Sequence, residues 1–436
     1  MSLYNFISLL GVFIIPFLAW LFSPQKRIIN WRLIFWGIGL QLLFGLLIFV
    51  FPVGVKFFLF LNQVIVRLLD CAAAGTRFLF GRLALPPGST NEAGETSLGS
   101  ILAFQALPTI IFFASLVAGL YYIGFMPWLI RLFARLFTRL MRLSGAESLC
   151  VSSQIFVGIE SALVIQPHLE KMTRSELMTI LTGGMATIAS TVLGFYVFIL
   201  QDSIPTIAGH LVSASILSAP AALLISKLLL PEKEKPETLG LEVKPHYERE
   251  DNLIVALING ATSGLRLLGG IISLLLAFLG ILALVDLVLS LLGEQVNSWL
   301  GWNFDWTLKN LLGYLFYPFS LIAGVPPADA LEVARLIGER TVATEVPAYQ
   351  HLAQLVSQKG LIYHRSAIIA AYSLCGFAHV ASLAIFVGGI GTLAPSRIRD
   401  LSKLGFRALL AAILACLMTG AVAGFFFQEK SIIFNY

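Results

Sequence analysis

Residues 184–190 read GMATIAS, and residues 376–382 read GFAHVAS. Each copy follows a single glutamate set among apolar residues, Glu160 in the first case and Glu345 in the second. A carboxylate followed by a small, polar helical segment, present twice, is typical of transporters built from two related halves. Such proteins hold their substrate where broken helices meet near the bilayer midplane. The alternative interpretation is chance, because small residues are common at contacts between membrane helices.

The composition of the chain is that of a membrane protein. Hydrophobic residues make up 58% of its 436 residues, charged residues only 12%, and the mean hydropathy is +0.87. Several apolar segments are long enough to cross a bilayer as helices, whereas the alternating pattern of an outer-membrane barrel is absent. Basic cytoplasmic loops account for the net charge of +5, so no nucleic-acid partner is expected. The sequence predicts an all-α polytopic membrane protein with about eight transmembrane helices.

Basic residues in short loops orient these helices. Lysine and arginine within residues 23–32 place the N-terminus outside and the first loop in the cytoplasm. Residues 147–168, around Glu160, have basic residues near both ends, which predicts a re-entrant hairpin entering from the inside. Residues 328–357, around Glu345, then form a second hairpin entering from the outside. The two opposed hairpins make the two halves of the chain an inverted repeat.

Five segments follow from this topology. Arg131, Arg135 and Arg139 recur at four-residue spacing among apolar residues, which predicts an amphipathic helix on the cytoplasmic surface. A polar, mixed-charge linker follows helix 5, and no site is assigned to it. The first predicted segment contains scaffold helices 1–3 with an outer surface helix (residues 1–123), and the second contains the interfacial helix, the first hairpin and helices 4–5 (124–230). The cytoplasmic linker (231–258) follows, then helix 6 of the scaffold with outer helices (259–324), and finally the second hairpin with helices 7–8 (325–436). The second and fifth segments form a transport domain.

The two glutamates and a polar pair on helix 7 are the first candidates for a binding site. A carboxylate at membrane depth is unfavourable unless a substrate, a cation or a proton accompanies it; the alternative is a side chain that reaches the interface. His379 and Ser382 lie one helical turn apart and share a face. Gly376 loosens the helix before them, and a break there would free backbone groups for a polar ligand. The alternative for His379 is a polar link between helices.

Three hydroxyls on helix 4 are candidates for an ion site. Thr187, Ser190 and Thr191 lie near the predicted tip of the first hairpin, and oxygen ligands suit a hard cation such as Na+. The equally weighted alternative is that these hydroxyls bond to the preceding helical turn. There is no phosphate-binding loop and no nucleophile motif, so neither ATP-driven transport nor an enzymatic activity is predicted, and no cofactor beyond a coupling ion is expected.

Ordered stretches over most of the chain carry a family resemblance. They include residues 75–81 (GTRFLFG), 147–150 (ESLC), 155–158 (IFVG), 172–177 (MTRSEL), 183–186 (GGMA), 261–265 (ATSGL), 372–378 (YSLCGFA) and 388–395 (GGIGTLAP). On these residues the chain resembles the concentrative nucleoside transporters. The resemblance implies a homotrimer in a bacterial-type inner membrane that takes up nucleosides by alternating access, driven by Na+ or protons, with a transport domain moving against a scaffold.

The resemblance also implies roles for particular side chains. In the family, the second hairpin and helix 7 hold the ribose, the first hairpin contacts the base, and Na+ lies between the first hairpin and the middle of helix 4. The residues implied for the substrate are Glu345, His379, Ser382, Phe377, Glu160 and Ile159, and those implied for Na+ are Gln154, Thr187, Ser190 and Thr191.

The chain departs from the family pattern at the site itself. His379 stands where asparagine is usual on helix 7, and Thr344 replaces an asparagine before Glu345. In the first hairpin, residues 158–160 read GIE, one residue shorter than the usual Gly-Gln-(Thr/Ser)-Glu, and Gln154 replaces an asparagine. Because polar sites reject ligands that leave their groups unpaired, these changes suggest an altered ligand or base preference. Two alternatives therefore stay open: the same carrier with a non-nucleoside substrate, and a membrane binding or sensing module that does not cycle.

Overall fold

The structure, a computed structural model, describes residues 2–91, 94–246, 250–301, 303–429 and 431. Within these ranges the regular elements are helices. The α-helices are α1 (Leu3–Leu21), α2 (Trp31–Phe49), α3 (Pro52–Phe80), α4 (Leu102–Gln105), α5 (Thr109–Tyr122), α6 (Phe125–Met141), α7 (Gly145–Gln154), α8 (Arg174–Ala186), α9 (Ser190–Leu200), α10 (Ile207–Leu229), α11 (Leu253–Leu300), α12 (Leu308–Ile322), α13 (Pro327–Val342), α14 (Glu345–Ser357), α15 (His364–Leu374), α16 (Val380–Leu393) and α17 (Ile398–Phe426), and the 3₁₀ helices are Gly81–Ala84, Ile159–Lys171 and Pro395–Arg397.

In the described part of the chain, 8 helical stretches are long and apolar enough to cross a membrane, by length and composition. They include Pro52–Ala84, which the sequence places along the outer surface, so the relation of this helix to the bilayer stays a prediction. They omit predicted helix 7, because it is divided into the short helices α15 and α16. Predicted helix 6 corresponds to α11, the longest of these stretches with 48 residues, and it begins at Leu253 rather than at residue 259.

Both predicted re-entrant hairpins are present. In the first hairpin, α7 leads to a tip at residues 155–158, and the 3₁₀ helix Ile159–Lys171 returns against α7. In the second hairpin, α13 leads to a tip at residues 343–344, and α14 returns against α13. The returning arms differ: the second hairpin returns as an α-helix, whereas the first returns as a 3₁₀ helix, whose hydrogen-bond geometry is poorer.

The two hairpins enter from opposite ends of the molecule, as helix α10 demonstrates. Just before α10, the Ser203 hydroxyl donates to the Ala353 carbonyl near the base of the second hairpin, at 3.1 Å. At the other end of α10, Lys227 Nζ lies 2.8 Å from Glu147 Oε2 at the base of the first hairpin. The 23 residues of α10 span about 35 Å at 1.5 Å per residue. The bases of the hairpins are therefore separated by about the thickness of a bilayer core.

The repeated heptapeptides form the breaks of two helices. Helix 4 is interrupted at residues 187–189, between α8 and α9, and helix 7 at residues 375–379, between α15 and α16. The breaks touch each other: a Cβ on Gly376 would lie 2.9 Å from the backbone of Ala186 and 2.8 Å from Cys416 Sγ. Only glycine fits this approach. The repeat therefore marks the positions where both helices open and meet.

The predicted linker is attached along its length to the first hairpin. The Gly145 amide donates to the Thr238 carbonyl at 2.8 Å, and the Gly240 amide donates to the Leu143 carbonyl at 3.1 Å. Ion pairs add to this attachment, from Lys171 to Glu237 at 2.9 Å and from Arg139 to Glu242 at 2.8 Å. Residues 237–246 thus form a strap across the base of the first hairpin and α6, an arrangement that the polar composition alone did not predict.

Helices α5 and α11 pack on each other, and α5 also packs on α9. Gly260 and Gly264 of α11 are buried against α5, where a Cβ on Gly264 would lie 2.8 Å from the Ala114 Cβ. Helices α1 and α2, in contrast, pack on α10 and α17. The side-chain amide of Asn5 on α1 donates to the Phe425 carbonyl near the end of α17, at 2.7 Å. The division into scaffold and transport domains stays a prediction, and this packing joins α1 and α2 to two helices of the predicted transport domain.

Candidate functional site

A cavity lies between the two hairpin tips and the two helix breaks. Its volume is about 110 Å³. The six residues that the sequence predicts for the substrate all line it, and one face of α11 forms the opposite wall. The lining residues are Gly158, Ile159 and Glu160 of the first hairpin, Ala189, Thr191, Val192 and Tyr196 of helix 4, Leu267, Ile271, Leu274 and Leu275 of α11, Thr344, Glu345 and Val346 of the second hairpin, and Phe377, His379, Ser382, Ile385 and Phe386 of helix 7.

Glu345 is held on both carboxylate oxygens. It is the first residue of α14 and only 4% exposed, and the N-terminal end of a helix favours a negative charge. Oε1 accepts a hydrogen bond from the Tyr196 hydroxyl, and Oε2 lies 3.0 Å from Nε2 of His379. The second contact is close, although the ring N–H is not aligned with the oxygen. The carboxylate is therefore buried between two polar partners from helices 4 and 7.

His379 is the N-cap residue of α16. Its Nδ1 accepts a hydrogen bond from the Ser382 amide at 3.2 Å. A ring nitrogen that accepts carries no proton, so in the neutral imidazole the proton is assigned to Nε2, facing Glu345. Helix 7 thus fixes both the orientation and the tautomer of His379.

The Ser382 hydroxyl is engaged within the helix 7 break. It donates to the carbonyls of Phe377 and His379, the latter at 2.7 Å. Its oxygen also accepts from the His379 amide at 3.4 Å. The hydroxyl therefore closes the break, and Ser382 also lines the cavity. The Phe377 ring lines the same cavity, nearly perpendicular to the His379 ring, with the ring centroids 6.5 Å apart.

Glu160 differs from Glu345 in its access to water. It lies in the first turn of the 3₁₀ helix Ile159–Lys171, and its side chain is exposed, although protein surrounds it. The exposed surface faces two cavities, the one described above and a neighbouring one of about 530 Å³ that reaches His246 of the strap. Glu160 and Thr191 line both. A carboxylate in this position is available to a ligand or to water that enters from the strap side.

The residues predicted for Na+ fall into two places. Gln154, at the end of α7, donates through Nε2 to the Ile180 carbonyl at 2.8 Å, while its buried Oε1 has no hydrogen-bond partner. The Thr187 hydroxyl donates to the Gly183 carbonyl at 2.9 Å, which is the back-bonding alternative weighed from the sequence. Both groups adjoin Gly183, where an added Cβ would collide with Gln154 Oε1. An unpaired buried oxygen next to an opened helix fits a cation ligand.

The other two residues predicted for Na+ lie on the far side of the helix 4 break. The Ser190 amide donates to the Phe156 carbonyl at 2.8 Å, which joins α9 to the tip of the first hairpin. Thr191 faces the cavity and not Gln154. The structure thus brings Gln154 and Thr187 together and places Ser190 and Thr191 at the start of α9.

Tyr196 is the residue of the site that sequence reasoning missed. It lies in an apolar stretch of helix 4 and is 1% exposed. The available signal was that a tyrosine in such a stretch needs a partner for its hydroxyl when it is buried. The identity of that partner, Glu345, depends on a contact between residues 149 positions apart in the chain.

Comparison with known proteins gives the family of this fold and site. Three domain families match the chain: the C-terminus of Na+ dependent nucleoside transporters over residues 210–424, their N-terminus over residues 10–83, and a nucleoside recognition domain called Gate over residues 103–203. An uncharacterized transporter of Bacillus subtilis (strain 168), YutK, is 36% identical over 96% of this chain and 98% of its own length. The chain belongs to the Na+-dependent nucleoside transporter family. The family resemblance predicted from the sequence is therefore confirmed.

Mammalian members of this nucleoside transporter family are also similar. Solute carrier family 28 member 3 of Mus musculus is 38% identical over 96% of this chain, and sodium/nucleoside cotransporter 2 of Rattus norvegicus is 35% identical over 97%. The chain covers 58% and 63% of these two relatives, respectively.

Solved structures of CNTnw share the fold over nearly the whole of both chains. The structure of CNTnw in an inward-facing substrate-bound state is 32% identical, with a TM-score of 0.85 over 97% of this chain and 98% of that one. A variant of CNTnw in an outward-facing state gives a TM-score of 0.86 over 98% of both chains. These similarities confirm the predicted all-α polytopic fold with two opposed re-entrant hairpins in an inverted repeat.

Proposed function

We propose that this protein is a secondary active transporter that takes up nucleosides by alternating access, driven by Na+. The observation that carries the proposal is the pair formed by Glu345 and His379, 3.0 Å apart in the cavity where both hairpin tips and both helix breaks meet. A buried carboxylate is costly in a membrane protein and marks a functional site. The names of its relatives, which are transporters and sodium/nucleoside cotransporters, support the same activity.

In this proposal the sugar of the nucleoside lies against the second hairpin. Hydroxyl groups donate hydrogen bonds to carboxylates, and Glu345 presents acceptor lone pairs whose direction Tyr196 and His379 fix. Phe377 packs against the ligand and Ser382 holds the break in register. Glu160 and Ile159 contact the base from the first hairpin, where Ile159 offers no hydrogen bond. The base is therefore recognised with less hydrogen-bond specificity than the sugar.

Na+ would bind beside the helix 4 break. Gln154 Oε1 supplies an unpaired buried oxygen there, and the Thr187 hydroxyl oxygen keeps lone pairs after donating its proton. Backbone carbonyls freed by the break complete such sites. Proton coupling is the second candidate, favoured by the contact between Glu345 and His379.

The proposed assembly is a homotrimer in the cytoplasmic (inner) membrane. Among the residues described for α11, only Ala256, Gly260, Gly264 and Gly293 are fully buried. The face of this apolar helix that is turned away from α5 and from the cavity is therefore open to other subunits or lipid. A contiguous exposed apolar surface of this kind marks a membrane or protein contact. The helix pair α5 and α11 would then form the stationary frame against which the remaining helices move.

Uptake into proteoliposomes tests the proposal. The purified protein is reconstituted, and accumulation of labelled uridine and adenosine is followed under an inward Na+ gradient, an inward proton gradient and no gradient. The proposal predicts accumulation of nucleoside under the Na+ gradient and its loss in E345Q. Accumulation under the proton gradient alone would show that protons, and not Na+, drive the uptake. Binding without accumulation would favour a membrane binding or sensing module that does not cycle. If no unlabelled nucleoside competed with the labelled one, the substrate would belong to another chemical class.

A further inference from the structure

The hydroxyl of Tyr196 connects the helix next to the proposed cation site with the carboxylate proposed to bind the nucleoside. Tyr196 belongs to α9, the second half of helix 4, and its hydroxyl donates to Oε1 of Glu345 on the second hairpin. Its ring is buried against the Tyr349 ring, with the centroids 5.2 Å apart. The phenol therefore reaches the carboxylate proposed for the substrate from the helix that begins at the proposed cation site.

Helix α9 is a short, rigid connection between these two sites. It begins at Ser190, directly after the break at residues 187–189, and Ser190 is tied to the first hairpin through the Phe156 carbonyl. Tyr196 follows six positions later, about 9 Å along the helix axis at 1.5 Å per residue. A change in the geometry of the break therefore displaces the phenol as well, because the helix between them moves as one body.

We infer that Tyr196 is the positioning residue through which the bound cation raises the affinity for the nucleoside. This inference rests on the proposed function. A cation at Gln154 and Thr187 orders the helix 4 break and with it the start of α9. The ordered α9 presents the phenol to Oε1 of Glu345, which turns the remaining lone pairs of the carboxylate towards the sugar. Without the cation the break loosens, the phenol withdraws, and the carboxylate loses its fixed direction.

A purely structural hydroxyl would have a different signature. The ring of Tyr196 already packs α9 against α14 through Tyr349, so removal of one oxygen leaves that contact in place. A structural role would change the stability of the protein and would leave the linkage between cation and nucleoside unchanged. A positioning role changes the linkage itself, which is a coupling free energy between two sites.

Tyr349 provides a matched control. It is as buried as Tyr196 and its ring adjoins the Tyr196 ring, but its hydroxyl donates to the Ala371 carbonyl at 3.1 Å. Y196F and Y349F therefore remove the same atom from neighbouring rings. Only the first removes a donor to Glu345.

The experiment measures the dissociation constants of uridine and adenosine by calorimetry, in saturating Na+ and with choline replacing Na+. The ratio of the two values is the coupling factor, and coupling of this kind is about tenfold or more. We expect the wild type and Y349F to share this factor and Y196F to reduce it to about twofold. Thermal unfolding of each variant verifies that it is folded. Q154L, which removes the proposed cation ligand, should reduce the factor equally, and Y196F should add no further loss to it.

Each of the following results would overturn the inference. If Y196F keeps the wild-type factor, or if Y349F loses as much as Y196F, the phenol does not couple the sites and the proposed function stands unaffected. If the losses in Y196F and Q154L multiply in the double variant, the two residues act by separate routes. If the wild type itself binds no nucleoside or shows no dependence on Na+, the proposed function and this inference are both overturned.

Discussion

The two re-entrant hairpins look alike in the sequence and differ in the structure. In the second hairpin both arms are α-helices, and Glu345 is 4% exposed and held by Tyr196 and His379. In the first hairpin the returning arm is a 3₁₀ helix, and Glu160 is exposed to two cavities. The same pattern of a glutamate among apolar residues thus gives two different halves of the proposed binding site. The half formed around Glu345 is the preorganised half-site, and the half formed around Glu160 is the open half-site.

Local sequence explains much of this difference. Thr344 is the N-cap of α14, and its hydroxyl accepts a hydrogen bond from the Val346 amide at 3.3 Å, so the second arm begins with a satisfied helix end. The first hairpin has Gly158 before its returning arm, no side-chain cap, and Pro167 within the arm. Proline and a missing cap both disfavour an α-helix. The strap formed by residues 237–246 supports this weaker hairpin from outside.

The largest expected effect is at the preorganised half-site. E345Q replaces a buried charged acceptor with an amide that has only one acceptor oxygen, so the amide cannot serve Tyr196 and the sugar on separate oxygens. Loss of such an interaction costs about 3 kcal/mol or more, equal to about 100-fold in uridine affinity. The measurement is uridine binding by calorimetry. E332Q, in the same hairpin but paired with Arg335, is the matched control and should bind as the wild type does.

The next effect separates the two contacts of His379. H379A removes both the N-cap and the contact with Glu345, so we expect about 1 kcal/mol lower stability and about tenfold weaker uridine binding. H379N retains a good capping residue but is too short to reach Glu345. It should therefore keep the wild-type melting temperature while binding uridine more weakly. Equal stability losses in both variants would show that the cap is not what His379 contributes to the fold.

A smaller effect is expected at the open half-site. E160Q alters a carboxylate that water can reach, and such accessible charges contribute about 0–1 kcal/mol, or up to about fivefold in affinity. The measurement is a comparison of adenosine and uridine binding, because Glu160 is placed at the base end of the ligand. If E160Q weakened binding as much as E345Q does, the contrast between the hairpins would be wrong.

The smallest effect on binding is expected at the strap. T238V removes a buried hydroxyl that accepts from the Ala146 amide at 3.1 Å and bonds to Ser144 at 2.8 Å. An unsatisfied buried group costs about 1–3 kcal/mol of stability. Thermal unfolding should therefore show a lower melting temperature with nearly unchanged uridine affinity. E242Q, which alters only the exposed contacts with Arg135 and Arg139, is the control and should melt as the wild type does.

The sequence was sufficient for the features that depend on local pattern. The heptapeptide repeat located the two related segments, which the structure shows to be the breaks of helices 4 and 7, and the two glutamates predicted the hairpins. It was insufficient where the outcome depends on contacts between distant residues. The Tyr196 hydroxyl meets Glu345 across 149 positions. The polar composition of the linker also gave no sign that its backbone bonds to Leu143 and Gly145.

The returning arm of the first hairpin was predictable only in part. Gly158 and Pro167 disfavour an α-helix there, but its packing against α7 and α16 could not be inferred from the sequence. The wall formed by α11 was missed for a related reason: its leucines and isoleucines read as lipid-facing until α11 is placed beside the cavity.

The central claim is that a single nucleoside contacts both hairpins in one cavity. It is tested most directly by protection of single cysteines from a methanethiosulfonate reagent. I159C in the first hairpin and V346C in the second are prepared in a C71S background, since Cys71 is the exposed cysteine, with L132C on α6 as the control. The account predicts that uridine slows modification of both cavity cysteines with the same concentration dependence and leaves L132C unchanged. Protection of only one hairpin, or of neither, would contradict it.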